Sequence, residues 1–589
     1  MKKNTANIST VTSLIQSVIK KNNSKNIIFL LGFIFLASLF EVIALMCIAP
    51  IMTLATGNLE TNDKASAIIE KIFPFVAMDN SLNVFSLFFL LAIIASLLLV
   101  ISNLFAQKIK YQYCAEVLKD SVTDIFNSSS IFFSHSQQGK LINSYTQELS
   151  NMGDSLAALS RTVSYIIQIC FYLFVIFFLS NITAILIFII LAIVYSPLFL
   201  IGKMSRRLGK KNTVSNNNFI TSLQENFYFF KNIISYGIQK KTVLQIVGKF
   251  DLSAKAAIQS YLAAFTISTL FIPLTILGIS IIFYFKSYLA ISLSEISIIV
   301  ITFYRMSSRL NLVAKEKNTL DKSIFGFNQI NEIKKLAKSF SLKFQGLHDF
   351  DFKNKFIIKN IYQKFGDTEI LNNINLEFGA KEIIAFIGKS GSGKTSLADI
   401  ISGINQPSAG IIEVDEKNFY DFNYNSLRSK ICYVSQENML LNLSIKENIR
   451  LYDQEISDDS IVRACKLANC EEFINKLPNK YETNVGERGS NLSAGQVQRL
   501  SLARAIARKP KILILDEVTS ALDNISEKLI YETIMNMKKE CTIVIIAHRL
   551  SFLKKVDKIF ILENGQLIDQ GNYDFMSKKS SAFQNLINK

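Results

Sequence analysis

Tryptophan and paired cysteines are both missing from this 589-residue sequence. The large aromatic residues are 46 Phe and 20 Tyr. Half of all residues are apolar, and the mean hydropathy is +0.28. This composition is typical of helices that face hydrocarbon. The cysteines form no C-x-x-C pair and no zinc-ligand spacing, so neither a disulfide framework nor a zinc site is predicted. We expect reduced, mostly buried thiols at Cys47, Cys114, Cys170, Cys432, Cys465, Cys470 and Cys541.

Acidic residues are missing from the first 25 positions, which carry five lysines. The same segment has no small-residue cleavage site, and the apolar stretch that follows is too long for the core of a signal peptide. We therefore expect this stretch to stay attached and to form the first membrane helix.

Charge is unbalanced over the whole chain, with 64 Lys and Arg against 47 Asp and Glu, which gives a formal net charge of +17. Such an excess can indicate binding to nucleic acid. Here the excess lies in loops between apolar segments, which is the distribution that the positive-inside rule describes. The sequence therefore favours a membrane protein and argues against a nucleic-acid partner.

Long apolar segments fill the first 315 positions. Six of them reach the roughly 20 residues that a helix needs to cross a bilayer. The predicted spans are 26–55, 82–107, 157–180, 182–203, 257–286 and 292–313. Only Ser180 and Asn181 separate the third from the fourth, which predicts a tight hairpin there.

Basic residues predict the orientation of these spans. The connection from Lys203 to Lys255 holds ten basic residues against two acids, whereas the loop from Thr56 to Ser81 holds four acids and two lysines. The basic connection and the basic amino terminus are therefore expected in the cytoplasm, and six crossings return the chain to that side. We expect an integral, multi-pass protein of a bacterial inner membrane with both termini cytoplasmic.

Two connections on the cytoplasmic side, about 107–156 and about 204–256, are far longer than a turn requires. Both have the pattern of amphipathic helices, as in FITSLQENFYFFKNIISYG from Phe219 to Gly237. We predict that helices continue out of the bilayer and are joined at tips that contact the soluble half.

Ionisable residues within predicted spans are costly in hydrocarbon and are therefore functional candidates. Glu41 in the first span and Arg305 in the sixth are the clearest, and Arg309 follows Arg305 by one helical turn. Two interpretations stay open: Glu41 pairs with Arg305 across the bundle, or these side chains contact a substrate.

Short β-rich segments alternate with helical ones from about residue 350 onward. Near-continuous apolar runs such as IIAFIG and ILILD are typical of buried parallel strands, so we predict an α/β nucleotide-binding domain. GKSGSGKT, from Gly388 to Thr395, fits the phosphate-loop pattern G-x-x-x-x-G-K-[ST] between a strand and a helix. Its backbone amides would face phosphates, Lys394 would reach the β and γ phosphates, and Thr395 would supply a hydroxyl to magnesium.

A second motif of this domain, the acidic sequence ILILDE, ends at Glu517. A carboxylate at the end of a buried strand can hold magnesium, and the next one can polarise the attacking water. We therefore predict a metal role for Asp516 and a general-base role for Glu517.

NLSAGQVQRLSLARA, from Asn491 to Ala505, resembles the signature sequence of ABC transporter ATPases, with Ala494 where glycine is usual. Further motifs of that family follow its order along the chain. They are Phe365, beside Tyr362, as the aromatic that stacks on adenine, Gln436 of the Q-loop, TNVGERG from Thr483 to Gly489, Asp523 in SALD, and His548 in AHRLS.

The resemblance covers nearly the whole chain and implies an exporter-type half-transporter, with a helical bundle of six spans fused to an α/β P-loop ATPase domain. It places coupling helices near 130–136 and 219–229. The expected segments are a cytoplasmic amino terminus at 1–25, the membrane domain at 26–320, a linker at 321–349 and the ATPase domain at 350–589.

In this family ATP lies between the phosphate loop of one ATPase domain and the signature of another, so the resemblance implies a dimer. Glu517, His548 and the signature are all intact, which favours a homodimer with two active sites. The implied catalytic residues are Gln436, Glu517 and His548, and the implied magnesium ligands are Thr395, Gln436 and Asp516. The implied ATP contacts are Phe365, Gly388, Ser390, Gly391, Ser392, Gly393, Lys394, Thr395, Ser396, Ser493, Gly495, Gln496 and Asp523.

The cargo is less constrained. The first and sixth spans look like those of the subclass that flips lipid-linked oligosaccharides, in which a glutamate upstream of a proline and a Tyr-Arg pair occupy similar places. Arg305 and Arg309 would then meet a pyrophosphate head group through charge-assisted hydrogen bonds, and Glu41 would lie beside them. Exporters of peptides or bacteriocins, and of drugs or lipids, share the architecture and stay open. The apolar spans argue against a soluble nucleic-acid ATPase, and the intact catalytic residues argue against a purely regulatory membrane ATPase.

Overall fold

The computed structural model describes residues 24–56, 64–76, 80–135, 138–179, 181–284, 293–344, 346–366, 368–436, 438–518, 524–547 and 550–587. Its contacts divide the chain into two compact units. Unit 1 comprises Met1–Phe126 and Phe132–Ser339, and unit 2 comprises Asn127–Ile131 and Phe340–Lys589.

Unit 1 is mainly helical over its described residues. Its helices are α1 (Ser24–Met46), α2 (Ile48–Thr56), α3 (Lys64–Ile72), α4 (Ser81–Phe126), α5 (Ser130–His135), α6 (Gln138–Asn143), α7 (Leu149–Leu179), α8 (Asn181–Tyr228), α9 (Phe230–Ser235), α10 (Gln239–Tyr284) and α11 (Leu293–Ser339). A π-helical turn, Ser144–Glu148, joins α6 to α7. Helices are the structures that satisfy every backbone group of an isolated apolar segment, which is why the long apolar runs fold this way.

Four of these helices are much longer than a bilayer is thick. α4, α8, α10 and α11 have 46, 48, 46 and 47 residues. At 1.5 Å per residue each is about 70 Å long, whereas the hydrocarbon core measures about 30 Å. The spans therefore continue as helical extensions, as the amphipathic pattern predicts.

Among the described residues, four helices are long and apolar enough to cross a membrane. They contain Lys25–Met52, Ser81–Phe126, Gly139–Leu179 and Glu295–Lys317. The fourth and fifth predicted spans lie on α8 and α10, where the described apolar stretches are Asn181–Leu191 and Thr269–Tyr284. Helix α7 ends at Leu179 and α8 begins at Asn181, and Ser180 between them lies outside the described residues.

The tips of the extensions differ in part from the expected coupling helices. A short helix, α5, does occupy Ser130–His135. In contrast, 219–228 belongs to α8, and the short helix before α10 is α9, Phe230–Ser235. The boundary lies at Phe229, whose φ of −85° and ψ of 13° leave the helical region. Helix α11 also runs to Ser339, through the first part of the expected linker.

Unit 2 contains two β-sheets. A four-stranded antiparallel sheet has the order β2-β1-β4-β5, and a six-stranded sheet has the order β10-β9-β3-β8-β7-β6. The strands are β1 (Lys355–Phe365), β2 (Thr368–Gly379), β3 (Ile383–Ile387), β4 (Ala409–Val414), β5 (Lys417–Asn418), β6 (Ile431–Val434), β7 (Ile512–Asp516), β8 (Thr542–Ile546), β9 (Lys558–Glu563) and β10 (Gln566–Gly571). Strands β9, β3, β8, β7 and β6 run parallel.

Helices cover the parallel sheet. They are α12 (Lys394–Ile401), α13 (Tyr424–Lys430), α14 (Ile445–Arg450), α15 (Asp458–Leu467), α16 (Glu471–Asn475), α17 (Ala494–Ala507), α18 (Asn524–Met537), α19 (Tyr573–Lys579) and α20 (Ser581–Ile587). β3, β7 and β8 are buried at every position, which is why their sequences show no polar alternation. The cysteine thiols are mostly buried, with Cys114 half-buried and Cys170 exposed.

Candidate functional site

Three parallel strands of unit 2 end at one edge of the six-stranded sheet. Phe386 of β3 pairs with Ile546 of β8, and Ile546 pairs with Asp516 of β7. The phosphate loop follows β3 and Glu517 follows β7, so both leave the sheet side by side. Ligands of parallel α/β sheets bind at this carboxyl edge.

Glycines shape the phosphate loop because the backbone approaches its neighbours too closely for a side chain. A Cβ atom on Gly388 would lie 2.1 Å from the carbonyl oxygen of Leu562, and one on Gly393 would lie 2.7 Å from Leu371. Gly391 and Gly393 have φ of +80° and +97°, which favours glycine. The loop delivers the chain into α12, whose first-turn amides are free for an anion.

Lys394 is held across this loop. Its Nζ donates to the carbonyl oxygens of Gly388 and Lys389 at 2.8 and 2.9 Å. Burial lowers the pKa of Lys394, and the negative charges of Glu517 and Asp516 oppose that shift. Its ammonium group is thus already placed at the loop where phosphates would bind. Nearby, the buried Ser392 Oγ has no hydrogen-bond partner among the described residues.

Asp516 is only 5% exposed. The hydroxyl of Tyr433 donates to its Oδ2 at 2.8 Å. Burial raises the pKa of Asp516, and the hydrogen bonds from Tyr433 and Thr395 oppose that shift. The hydrogen bond between Thr395 and Asp516 brings two expected magnesium ligands together. No sequence pattern indicated a role for Tyr433, a half-buried residue of β6 that lies three positions before Gln436.

Glu517 lies in the left-handed region, with φ of +49°, directly after the strand. Its Oε2 accepts a hydrogen bond from Nε2 of Gln436 at 2.8 Å, so the Q-loop amide holds the predicted base. This orientation turns the amide oxygen of Gln436 away from Glu517. A hydroxyl, a carboxylate and an amide oxygen, from Thr395, Asp516 and Gln436, form an oxygen donor set that suits Mg²⁺ together with phosphate oxygens.

Asp399, two residues before the end of α12, is a further acid at this site that the sequence did not indicate. Burial and the charge of Asp516 raise the pKa of Asp399 to about 7. Its Oδ2 accepts from the amide of Asn405 at 3.1 Å. It therefore keeps its proton in mildly acidic solution and is about half protonated at pH 7.

The signature begins α17 with a capping box. Ser493 Oγ accepts from the backbone amide of Gln496 at 3.3 Å, and the Gln496 side-chain oxygen accepts from the Ser493 amide at 2.9 Å. Ser493 and Ala494 are exposed, whereas Gly495 is buried. The helix thus presents its amino-terminal end to solvent, with the Gln496 side chain occupied by the cap.

The remaining predicted ATP contacts are spread around the loop. Ser390 and Gly391 are exposed, and Ser396 is half-buried in the first turn of α12. Phe365 is a half-buried residue at the end of β1. Asp523 and His548 lie outside the described residues, so the structure does not place them.

Unit 1 contains a second cluster of polar side chains, within its apolar core. Oε1 of Glu41 on α1 accepts hydrogen bonds from the Tyr172 hydroxyl at 2.8 Å and from Arg309 at 3.1 Å, and Arg305 lies 3.4 Å away. The pairing of Glu41 with Arg305 that the sequence left open is thus present, and Arg309 joins it. One carboxylate faces two guanidinium groups, of which Arg305 is 47% exposed and Arg309 18%.

Several buried polar atoms in this cluster have no hydrogen-bond partner among the described residues. Glu41 Oε2 and Arg309 Nε are buried without a partner among the described residues. Gln168, one turn from Tyr172 on α7 and 1% exposed, has neither amide atom bonded. By contrast, Arg161 and Glu316 form a closed pair through two bonds of 2.7 and 2.8 Å. Gln168 escaped the sequence search because it carries no charge.

Comparison with known proteins yields two family matches. The family described as ABC transporter transmembrane region matches residues 27–314, and the family described as ABC transporter matches 371–520. The Heterocyst differentiation ATP-binding protein HepA of Nostoc sp. is 33% identical over 454 residues, which cover 75% of this chain and 73% of that protein.

Other relatives match the ATPase half or the fold. The "Putative multidrug export ATP-binding/permease protein" of Staphylococcus aureus is 40% identical over 252 residues, or 40% of this chain and 44% of that protein. A solved structure titled "Structure of a bacterial Atm1-family ABC exporter with ATP bound" superposes with a TM-score of 0.80. It has 19% identity, covers 96% of this chain and 99% of that chain, and thus shares the fold.

Proposed function

The chain belongs to the ABC transporter family, with a membrane region and an ATP-binding domain fused in one polypeptide, and from that premise we propose a homodimeric exporter of an anionic amphipathic substrate. ATP hydrolysis coupled to transport and an integral membrane location follow from the family itself. The proposal adds the second copy, the class of cargo and the sidedness: both termini in the cytoplasm of a bacterial cell, and cargo taken from that side.

The two halves of an ATP site support the second copy. The phosphate loop offers Lys394 and free helix amides, and the signature presents the exposed amino-terminal end of the 14-residue helix α17. An exposed helix terminus attracts phosphate through its unpaired amides and its dipole. We assign each ATP to the phosphate loop of one chain and Ser493 of its partner.

An aromatic patch on unit 1 also supports a partner chain. Phe227, Tyr228, Phe229 and Phe230 are consecutive and all exposed, at the tip between α8 and α10. Exposed apolar patches of this kind mark interaction surfaces. We assign this tip to contact with the second copy.

For the ATP site we propose the following roles, which the side-chain contacts support. Glu517 accepts a proton from the attacking water, Lys394 neutralises charge on the phosphates, and Gln436 holds Glu517 in place. Mg²⁺, when bound by Thr395, Asp516 and Gln436, would neutralise charge on the phosphate oxygens. We keep His548 as a further catalytic residue and Asp523 as an ATP contact, as their motifs imply.

The unbalanced charge around Glu41 carries the proposal for the cargo. Two arginines and one carboxylate leave one positive charge in an apolar bundle, and the donors Arg309 Nε and Gln168 Nε2 have no partner among the described residues. Such a site favours an anion that can accept charge-assisted hydrogen bonds. A pyrophosphate attached to a lipid fits this requirement, so we propose a lipid-linked oligosaccharide or a similar substrate. The Staphylococcus relative named for multidrug export favours the alternative of a multidrug exporter.

ATPase stimulation in lipid nanodiscs tests this choice. We expect a polyprenyl-pyrophosphate sugar to stimulate hydrolysis, and we expect Arg305→Gln with Arg309→Gln to abolish that stimulation while basal hydrolysis remains. The matched control is Arg161→Gln with Glu316→Gln, which removes a balanced pair. Stimulation by a cationic drug or a peptide but not by the pyrophosphate would overturn the assignment of cargo.

A further inference from the structure

A polar cavity lies in unit 1 between α6, α8 and α11. It is open to solvent on one side and has a volume of about 250 Å³. Its floor consists of the buried Asn143 and Gln329 and the half-buried Asn217, and its rim includes the exposed Asn218 and Asn328. We refer to it as the carboxamide cavity. It is separate from the Glu41 cluster and from the ATP site of unit 2.

Three local features that disfavour a regular α-helix lie at or beside this cavity. Asn216, Asn217 and Asn218 follow one another inside the 48-residue helix α8, although asparagine disfavours helix interiors. The turn Ser144–Glu148 is π-helical, a feature often found at functional sites. A Cβ atom on Gly326 of α11 would lie 2.7 Å from the Glu148 carboxylate and 2.9 Å from its carbonyl oxygen, so glycine allows the turn to pack there. Local preference gives way in three elements at one place, as expected at functional sites.

Two hydrogen bonds fix the floor of the cavity. Asn143 Nδ2 donates to Asn217 Oδ1 at 2.9 Å, and Gln329 Nε2 donates to Ser144 Oγ at 2.6 Å. These bonds leave the Asn143 and Gln329 oxygens as acceptors and the Asn217 amide as a donor. Among the described residues, the side chains of Asn218 and Asn328 make no hydrogen bond. The cavity thus offers carboxamides that hydrogen bonds hold in place on its floor and further carboxamides on its rim, each able to donate or accept.

Carboxamides in this arrangement match a particular ligand chemistry. A hydroxyl group also both donates and accepts, so several hydroxyls on one ring can pair with several carboxamides. Lys140 and Glu332 on the rim carry opposite charges that balance, which gives no preference for an anion. An apolar ligand would leave the remaining donors and acceptors of the floor amides buried without a partner, which is unfavourable.

We propose that the carboxamide cavity binds one uncharged, polyhydroxylated ring of monosaccharide size. The ring comes either from the head group of the cargo or from a free sugar. This site goes beyond the proposed function, because it stands on its own geometry and needs no particular charge on the cargo.

The binding test uses the full-length protein in detergent with free glucose, galactose and N-acetylglucosamine as probes. Saturation-transfer NMR is expected to show contact with at least one of them. Asn217→Leu and Asn218→Leu keep the side-chain size and remove its hydrogen bonds, so each should weaken the signal at least fivefold. Asn216→Leu is the matched control, because this third asparagine does not line the cavity and the signal should stay unchanged. Asn218 is exposed, so its variant keeps the test available should Asn217→Leu fail to fold.

A second measurement separates the two sources of the ring. If the cavity binds the cargo head group, Asn218→Leu also loses ATPase stimulation by a polyprenyl-pyrophosphate carrying the same sugar. If it binds a free sugar, stimulation by that lipid persists while sugar binding is lost. Either result supports the site, and the second leaves it intact even where no lipid stimulates the enzyme. No signal from any sugar in the wild type, or equal signals in all three variants, would overturn the proposal.

Discussion

The two neighbouring acids at the sheet edge, Asp516 and Glu517, have different surroundings in the structure. The ILILDE motif predicts two carboxylates with different roles. In the structure they differ in surroundings, because Asp516 is buried beside the Tyr433 hydroxyl, whereas Glu517 turns outward into contact with Gln436. Adjacent residues thus receive different partners through a backbone turn at a positive φ.

Glu517→Gln tests the base at the residue scale. The amide keeps the size and the contact with Gln436 but cannot accept a proton, so we expect ATP turnover to fall at least ~100-fold. ATP binding should persist within a factor of a few, as measured by a fluorescent ATP analogue. Glu540→Gln, at an exposed pair with Arg463, is the control. Turnover near the wild-type rate in Glu517→Gln would remove Glu517 as the base.

Asp399 predicts a pH dependence of stability. Its folded-state pKa of about 7 lies above the ordinary value of 3.8, so between these values the folded protein holds a proton that the unfolded chain has lost. The free energy of unfolding therefore decreases as pH rises through this range, by up to about 1.4 kcal/mol per pH unit from this group. Asp399→Asn should remove the part of this pH dependence that Asp399 contributes. Without nucleotide, the melting midpoint of the variant relative to that of the wild type should therefore rise from pH 5 to pH 7.5. A constant difference over that range would contradict the prediction.

Helix ends are the second scale. Long apolar helices follow from composition alone, but their termini depend on local caps and close contacts. The capping box at Ser493 could be expected from Ser-x-x-Gln in the signature. The position of the second tip helix, α9, could not be expected from the sequence, because no glycine or proline marks the helix break at Phe229.

Ser493→Ala tests the end of α17. It removes one cap, which costs about 1 kcal/mol of stability, and it also removes a hydroxyl at the proposed phosphate contact. We expect ATPase activity to fall severalfold more than the loss of stability explains, and Ser493→Thr should restore most of it.

Ser457→Ala provides the matched control for the cap, because Ser457 caps α15 in the same manner. It should lower the melting midpoint by a similar amount and leave ATPase activity unchanged. Equal loss of activity in both alanine variants would reduce Ser493 to a purely structural role.

Assembly of two chains is the largest scale. Each chain supplies a phosphate loop and a signature, and the proposed site needs one of each from different chains. The sequence indicates this only through the family resemblance, since no residue pattern within one chain identifies the partner. The exposed aromatic tip from Phe227 to Phe230 is the tertiary feature that supports it.

Subunit complementation tests the assembly. Lys394→Ala disables the phosphate loop, and Ser493→Arg fills the signature end with a bulky cation, so each variant alone should be inactive. Mixed dimers of the two variants would contain one site with both halves intact. We therefore expect co-expressed, doubly tagged dimers to recover a substantial fraction of the wild-type ATPase rate. The control is a mixed dimer of two differently tagged Lys394→Ala chains, which should stay inactive. No recovery in purified mixed dimers would exclude an ATP site shared in this way.

The sequence by itself determined the family, the apolar spans, the phosphate loop and the two acids at the end of β7, because each depends on residues that are close together in the chain. Tertiary structure decided which distant side chains meet. Glu41 contacts Tyr172 and Arg309, Tyr433 contacts Asp516, and the carboxamide cavity collects residues from three helices. Hydrogen bonds act over about 3 Å, and only the packing of helices and strands brings residues from separate segments within that distance.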